Sequence, residues 1–122
     1  MKTENKLYHY QAKIDRVIDG DTVVVLVDLG FDMHSKQTVR LYGINTPECR
    51  TRDKVEKAAG LKAKARLKAM LADTRGRVVI KTRLDGKGKF GRVLGVLYAN
   101  DVDLNRQLVL EGHAKRYLGG SR

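Results

Sequence analysis

Asp19-Gly-Asp-Thr-Val-Val-Val-Leu-Val-Asp-Leu29 is the stretch on which the architecture of this 122-residue chain turns. Asp19-Gly20-Asp21 is a turn signal, because Asp and Gly tolerate the backbone angles of tight turns. Thr22 to Leu29 is then the clearest strand of the chain, dense in β-branched residues. Its apolar run is almost unbroken, which predicts burial on both faces near its start. Upstream, Tyr8 to Ile18 alternates modestly and reads as a preceding strand. Downstream, Gly30 to Lys36 reads as a polar connection and Gln37 to Ile44 as a third strand. Three strands joined by short turns make an antiparallel meander.

Lys54 to Ala72 reads as the one long helix. Val55, Ala58, Leu61, Ala65, Ala69 and Ala72 recur at steps of three and four, a predicted apolar stripe. Asp53 is the expected N-cap, with Glu56 completing a capping box. Gly60 weakens the helix by about 1 kcal/mol relative to Ala. Arg77 to Arg83 and Arg92 to Ala99 read as a fourth and a fifth strand, separated by a basic loop with three glycines, Asp85 to Gly91. Asp103 caps a short helix, Leu104 to Glu111, with Gly112 at its C′ position. The tail from His113 is basic and reads as frayed at its end. The expected architecture is mainly β with α: a five-stranded Greek-key barrel of the OB type, with a long helix between strands three and four and a short C-terminal helix. All 122 residues are expected to form one such domain, ordered from about residue 8 to 118.

A net charge of +11 on so small a chain points to a polyanionic partner. The hydrophobic content of 42% is too high for a disordered chain. Cys49 is the single cysteine, which excludes an intrachain disulfide and a Cys-rich zinc site. No signal peptide is visible, and the longest apolar run, Val23 to Val27, is too short to span a bilayer. These features read as a soluble monomer with no membrane partner, cytoplasmic unless a leader has been removed.

Val39 to Glu48 starts as a strand carrying Arg40, breaks at Gly43, and ends in a polar turn containing Asn45, Thr46, Pro47 and Glu48. A cation beside several oxygen donors suits a phosphate and a hard metal. Asp21, where a turn enters a strand, would project a further carboxylate at the sheet rim; Asp19 reads as an Asx-turn residue. Arginine offers a planar fork that matches two phosphate oxygens. The lysine-rich helix reads as a solvated face or as an extension of a non-specific nucleic-acid footprint. His9, His34 and His113 have no metal-ligand spacing, and Tyr42 reads as a packing residue.

Three segments in register, Asp19-Gly20-Asp21-Thr22, Arg40 to Glu48 and Lys89-Phe90-Gly91-Arg92, resemble the signature segments of the staphylococcal-nuclease-like (thermonuclease) family. The resemblance runs from about Lys13 to about Lys115. It implies an OB barrel and calcium-dependent hydrolysis of DNA and RNA, leaving 3′-phosphate and 5′-hydroxyl ends. Carried onto this sequence, it makes Asp21, Asn45 and Thr46 the metal ligands, with Thr46 acting through its backbone carbonyl. Arg40 and Arg92 become a phosphate clamp and Glu48 the general base. Lys87 and Lys89 would contact the nucleic-acid backbone, and Tyr117 would stack on a base. Asn45 departs from the aspartate of the family's best-known member, so one negative charge is missing and weaker metal binding is expected. The alternative is a non-catalytic OB-fold nucleic-acid-binding module. A degenerate copy should have lost the arginines or the glutamate, and here they all stand.

Overall fold

The computed structural model describes residues 8–83 and 93–117. Among the described residues, eight strands and two helices follow in the order β1 (His9–Asp19), β2 (Thr22–Gly30), β3 (Met33–Leu41), β4 (Ile44–Asn45), α1 (Lys54–Ala72), β5 (Arg77–Arg83), β6 (Val93–Ala99), β7 (Val102–Asp103), α2 (Leu104–Leu110) and β8 (Lys115–Arg116). The main sheet runs β3-β2-β1-β5-β6-β7, and a parallel pairing of β3 with β6 closes it on itself. Five strands therefore make a closed OB-type barrel, with β7 as an additional strand beside β6. Closure removes the exposed edges that an open sheet of this size would present. A second, two-stranded sheet pairs β4 with β8.

The valine run behaves as its composition dictates. Val23, Val25 and Val27 face the core, while Thr22 and Val24 are also buried at the start of β2. Val39 and Leu41 on β3, Ile80 on β5, Leu97 on β6 and Leu104 and Leu108 on α2 complete the interior, all within 2% of full burial. Removing this much apolar surface from water is the main stabilising term.

Two expectations are corrected. The polar connection expected at Gly30 to Lys36 is mostly strand: β2 and β3 pair without a long loop, from Thr22 opposite Arg40 to Gly30 opposite Met33. Phe31 and Asp32 alone make the turn, at φ +54° and +60°, the left-handed pair that a tight hairpin requires. This half of β3 lies mostly exposed, so no core pattern marks it in sequence.

The second correction concerns α1. Val55, Ala58, Leu61, Ala65, Ala69 and Ala72 are all exposed, and the buried face is Gly60, Ala63, Leu67, Met70 and Leu71. The helix is turned so that Leu67, Met70 and Leu71 enter the core, Gly60 and Ala63 make its close backbone contacts, and the alanine stripe with Val55 and Leu61 faces outward. Gly60 is needed at the contact: a Cβ there would stand 2.6 Å from the Glu48 carbonyl and 2.7 Å from the Pro47 oxygen. One turn on, Ala63 packs under Gly20, where an added Cβ would come within 2.7 Å of it. Thus α1 supports both the β1–β2 turn and the segment after β4. At its start, Asp53 is the N-cap, its Oδ1 accepting from the Val55 and Glu56 N–H groups. Glu56 does not close a capping box on Asp53, whose N–H donates to Thr51. Its Oε2 instead accepts from the Glu48 N–H at 3.3 Å.

Candidate active site

Asp21 lies where the β1–β2 turn becomes β2, and Arg40 lies directly opposite Thr22 on β3. The Leu41 N–H donates to the Asp21 carbonyl at 2.8 Å, fixing the turn to β3. The Asp21 side chain is buried, with 4% of the residue exposed. Its Oδ1 accepts from the Thr22 hydroxyl and its Oδ2 from the Thr46 N–H, both at 3.0 Å. The segment after β4 is thereby pinned onto the β1–β2 turn.

Arg40 reaches along the same surface. One terminal nitrogen donates to the carbonyls of Leu41 and Ile44, each at 3.0 Å, and stands 3.4 Å from Asp21 Oδ2. The other donates to Asn45 Oδ1 at 3.3 Å. Backbone carbonyls and a buried carboxylate hold the guanidinium in one place, so little side-chain freedom remains to be lost when an anion binds. Tyr117 lies beside it, with the guanidinium carbon 6.0 Å from the ring centroid, the outer limit of a cation–π contact. The Tyr117 N–H donates to Gly43 and so anchors the tail against the β3–β4 turn.

Asn45, Thr46 and Glu48 line a cleft of about 490 Å³ whose other walls come from Glu56 and from Gly112 to Lys115. Glu48 is exposed, while its backbone lies against one face of α1, its N–H donating to Glu56 and its carbonyl close to Gly60. A larger depression, about 760 Å³, lies over β1, β2, β5 and β6 and contains none of these residues. Arg92, Lys87 and Lys89 fall outside the described residues.

The structure thus brings Asp21, Arg40, Asn45 and Thr46 into one hydrogen-bonded cluster, with Glu48 on the adjoining cleft. Among the described residues no three His, Cys, Asp or Glu side chains come together as a metal-holding group. The donors at the cluster are one carboxylate, one amide carbonyl and Thr46. These are hard oxygens, which fit a calcium-type cation, at a lower charge than two carboxylates would supply.

Cys49 takes no part in this chemistry. It is buried, and its thiol donates to Asp19 Oδ1 at 2.7 Å. Burial first, and then this hydrogen bond to Asp19, push the thiol above its ordinary pKa and keep it protonated. Asp19 therefore ties the post-β4 segment to the end of β1.

Sequence reasoning missed several positions. In sequence Glu56 reads as a capping residue of its own helix, and its reach to the Glu48 N–H carries no local signal. His113 and Lys115 enter the cleft because β8 pairs with β4, placing Lys115 opposite Asn45. Asn105, on the α2 face of Leu104 and Leu108, is buried; it accepts from the Leu97 N–H and donates to the carbonyls of Tyr42 and Gly95. That shared face with two core leucines was the available sign.

Comparison with known proteins gives the family of the chain. The family model described as staphylococcal nuclease homologue matches residues 38–121. Thermonuclease of Staphylococcus intermedius is 34% identical over 102 residues, covering 84% of this chain and 56% of that protein. Endonuclease YncB of Bacillus subtilis is 29% identical over 115 residues, covering 93% of this chain and 50% of its own length. The uncharacterized protein MJ1439 of Methanocaldococcus jannaschii is 28% identical over 130 residues, with 90% and 60% covered. The chain spans 50–60% of the length of these three relatives. With a closed OB barrel, the Asp21–Arg40–Asn45–Thr46 cluster at its rim and a family match over most of its length, the chain belongs to the family of staphylococcal nuclease homologues.

Proposed function

We propose that this chain is a metal-dependent phosphodiesterase that hydrolyses DNA or RNA with little sequence preference and leaves 3′-phosphate and 5′-hydroxyl ends. The observation that carries this reading is the side-by-side placement of a fixed guanidinium, Arg40, and the oxygen donors of Asp21 and Asn45. That the relatives include a thermonuclease and an endonuclease supports it.

In this reading Arg40 meets the scissile phosphate and offsets the charge that grows on its non-bridging oxygens in the five-coordinate transition state. Arg92 supplies a second guanidinium. Glu48 accepts a proton from the attacking water, whose oxygen forms a new bond to phosphorus as the P–O5′ bond breaks and the 5′-oxygen takes up a proton. A positioned base of this kind contributes roughly 10²–10⁴-fold in rate. Asp21, Asn45 and the Thr46 carbonyl would hold a calcium ion. When bound, such an ion polarises a phosphate oxygen and makes water a better nucleophile. Tyr117, packed against Arg40, offers a ring face to a neighbouring base.

The test is incubation with single-stranded DNA and calcium, followed by end-group analysis. Cleavage abolished by a chelator, with 3′-phosphate products, is expected. Cutting that persists in chelator, or none at any calcium level, would rule the mechanism out.

A further inference from the structure

Eight of the 25 Lys and Arg residues lie between Arg50 and Lys68, against only two of the 14 acidic residues. That concentrates a net +6 in 19 residues of a chain whose total is +11. The two acids are both engaged at the start of α1, Asp53 as N-cap and Glu56 on the Glu48 N–H. Arg66 is turned aside into a two-pronged pair with Glu111. Lys54, Lys57, Lys62 and Lys68 are exposed, and Arg50 and Arg52 are exposed just ahead of the helix.

The orientation of α1 makes this a surface of defined shape. Its outward face carries Ala58, Ala65 and Ala69 between the lysines, so long basic side chains rise beside short ones. A bulky backbone can approach such a face closely and meet several ammonium groups. The face also begins near the cleft, because Arg50, exposed just ahead of α1, is two residues from the cleft residue Glu48. We propose that the outer face of α1 is a second contact surface for the nucleic-acid strand, engaging phosphates beyond those in the cleft and retaining long substrates. This rests on the nuclease reading of the cleft. Only Val55 and Leu61 stand out as large exposed apolar side chains on α1, too few to anchor the helix in a lipid interface, so the charge is matched to a nucleic-acid strand.

The experiment compares the unsubstituted protein with a Lys57→Gln/Lys62→Gln/Lys68→Gln variant; glutamine keeps length and helix propensity. Turnover is measured on a dinucleotide-sized diester and on a long single strand, and long-strand binding is followed by anisotropy in calcium-free buffer over a salt series. The variant should cleave the short diester normally, show a KM for the long strand raised roughly tenfold or more at low salt, and have a log K against log salt slope shallower by about 2, because each lost phosphate contact removes about 0.7. An unchanged slope, or equal losses on both substrates, overturns the proposal. So does preferential capture of the unsubstituted protein by phosphatidylserine vesicles with no effect of the substitutions on the strand. If the unsubstituted protein cleaves neither substrate, the nuclease reading fails, while the anisotropy slope still decides for or against the surface.

Discussion

The Arg40 guanidinium meets a buried carboxylate, an amide oxygen and two backbone carbonyls, so it is both a staple of the β3–β4 turn and a cation held ready beside the cleft. Lysine at this position keeps the charge and loses the fork. Arg40→Lys is expected to lower kcat by about 10²-fold, the order seen when one preorganised donor is removed, with a smaller change in KM; equal effects on the two would argue against a transition-state role. Asn45 is the second decisive residue. It hydrogen-bonds Arg40 through an oxygen that bears no formal charge. Asn45→Asp should tighten calcium binding by about tenfold in titration calorimetry, because ligand charge tunes calcium affinity. An unchanged affinity would remove position 45 from the ligand set. At this scale the sequence was informative, since Asp21, Arg40, Asn45 and Thr46 all sit at strand ends or in turns, where side chains project at the barrel rim. Glu56 was not legible, because its partner, the Glu48 N–H, is set by how a helix packs and not by spacing along the chain.

Among the elements, α1 shows where pattern reading fails and why. Alanine is apolar enough to enter a stripe and small enough to gain little from burial, so the Ala-rich stripe competes poorly with Leu67, Met70 and Leu71 for the core. Both faces have helical period; the packed one joins Leu67, Met70 and Leu71 to the close contacts at Gly60 and Ala63, which spacing along the chain does not reveal. Gly60 makes the packed face testable. In an isolated helix Gly→Ala stabilises by about 1 kcal/mol. Here the new methyl meets the Pro47–Glu48 backbone, which cannot swing aside as a side chain would. Gly60→Ala is therefore expected to destabilise by about 1–3 kcal/mol in denaturant unfolding, and to lower turnover by displacing Glu48. A stabilised variant would show that the contact is looser than described. The order of the main strands along the chain is readable from β-branched runs and turn residues, whereas β8 is not, since two residues of a basic tail become a strand only through pairing with Ile44 and Asn45.

Across the molecule, α1 and α2 are bridged at the surface by Arg66 and Glu111. Hydrogen bonds from Arg66, and then from Gln107, pull the Glu111 carboxyl from 4.5 down to about 2. Its contribution to stability is therefore complete above pH 4.5 and is lost as pH falls through about 2. Glu111→Gln should be slightly less stable than the unsubstituted protein at neutral pH, with a gap that narrows between those limits and shrinks in high salt, since the pair is exposed. A gap that stays constant with pH would show that packing, not charge, is lost. The barrel seam carries a further consequence. β3, which bears Arg40, is held on one side by its sequence neighbour β2 and on the other by β6, whose strand begins over fifty residues later. β4, which bears Asn45, finds its partner only in β8, close to the end of the described chain. A chain emerging from the ribosome thus has Asp21, Arg40, Asn45, Thr46 and Glu48 made long before β6 and β8, the strands that hold β3 and β4, exist. The geometry of the site is set by ring closure over long chain separations, a slow class of contact, so the shape of the cluster waits on strands that are made late.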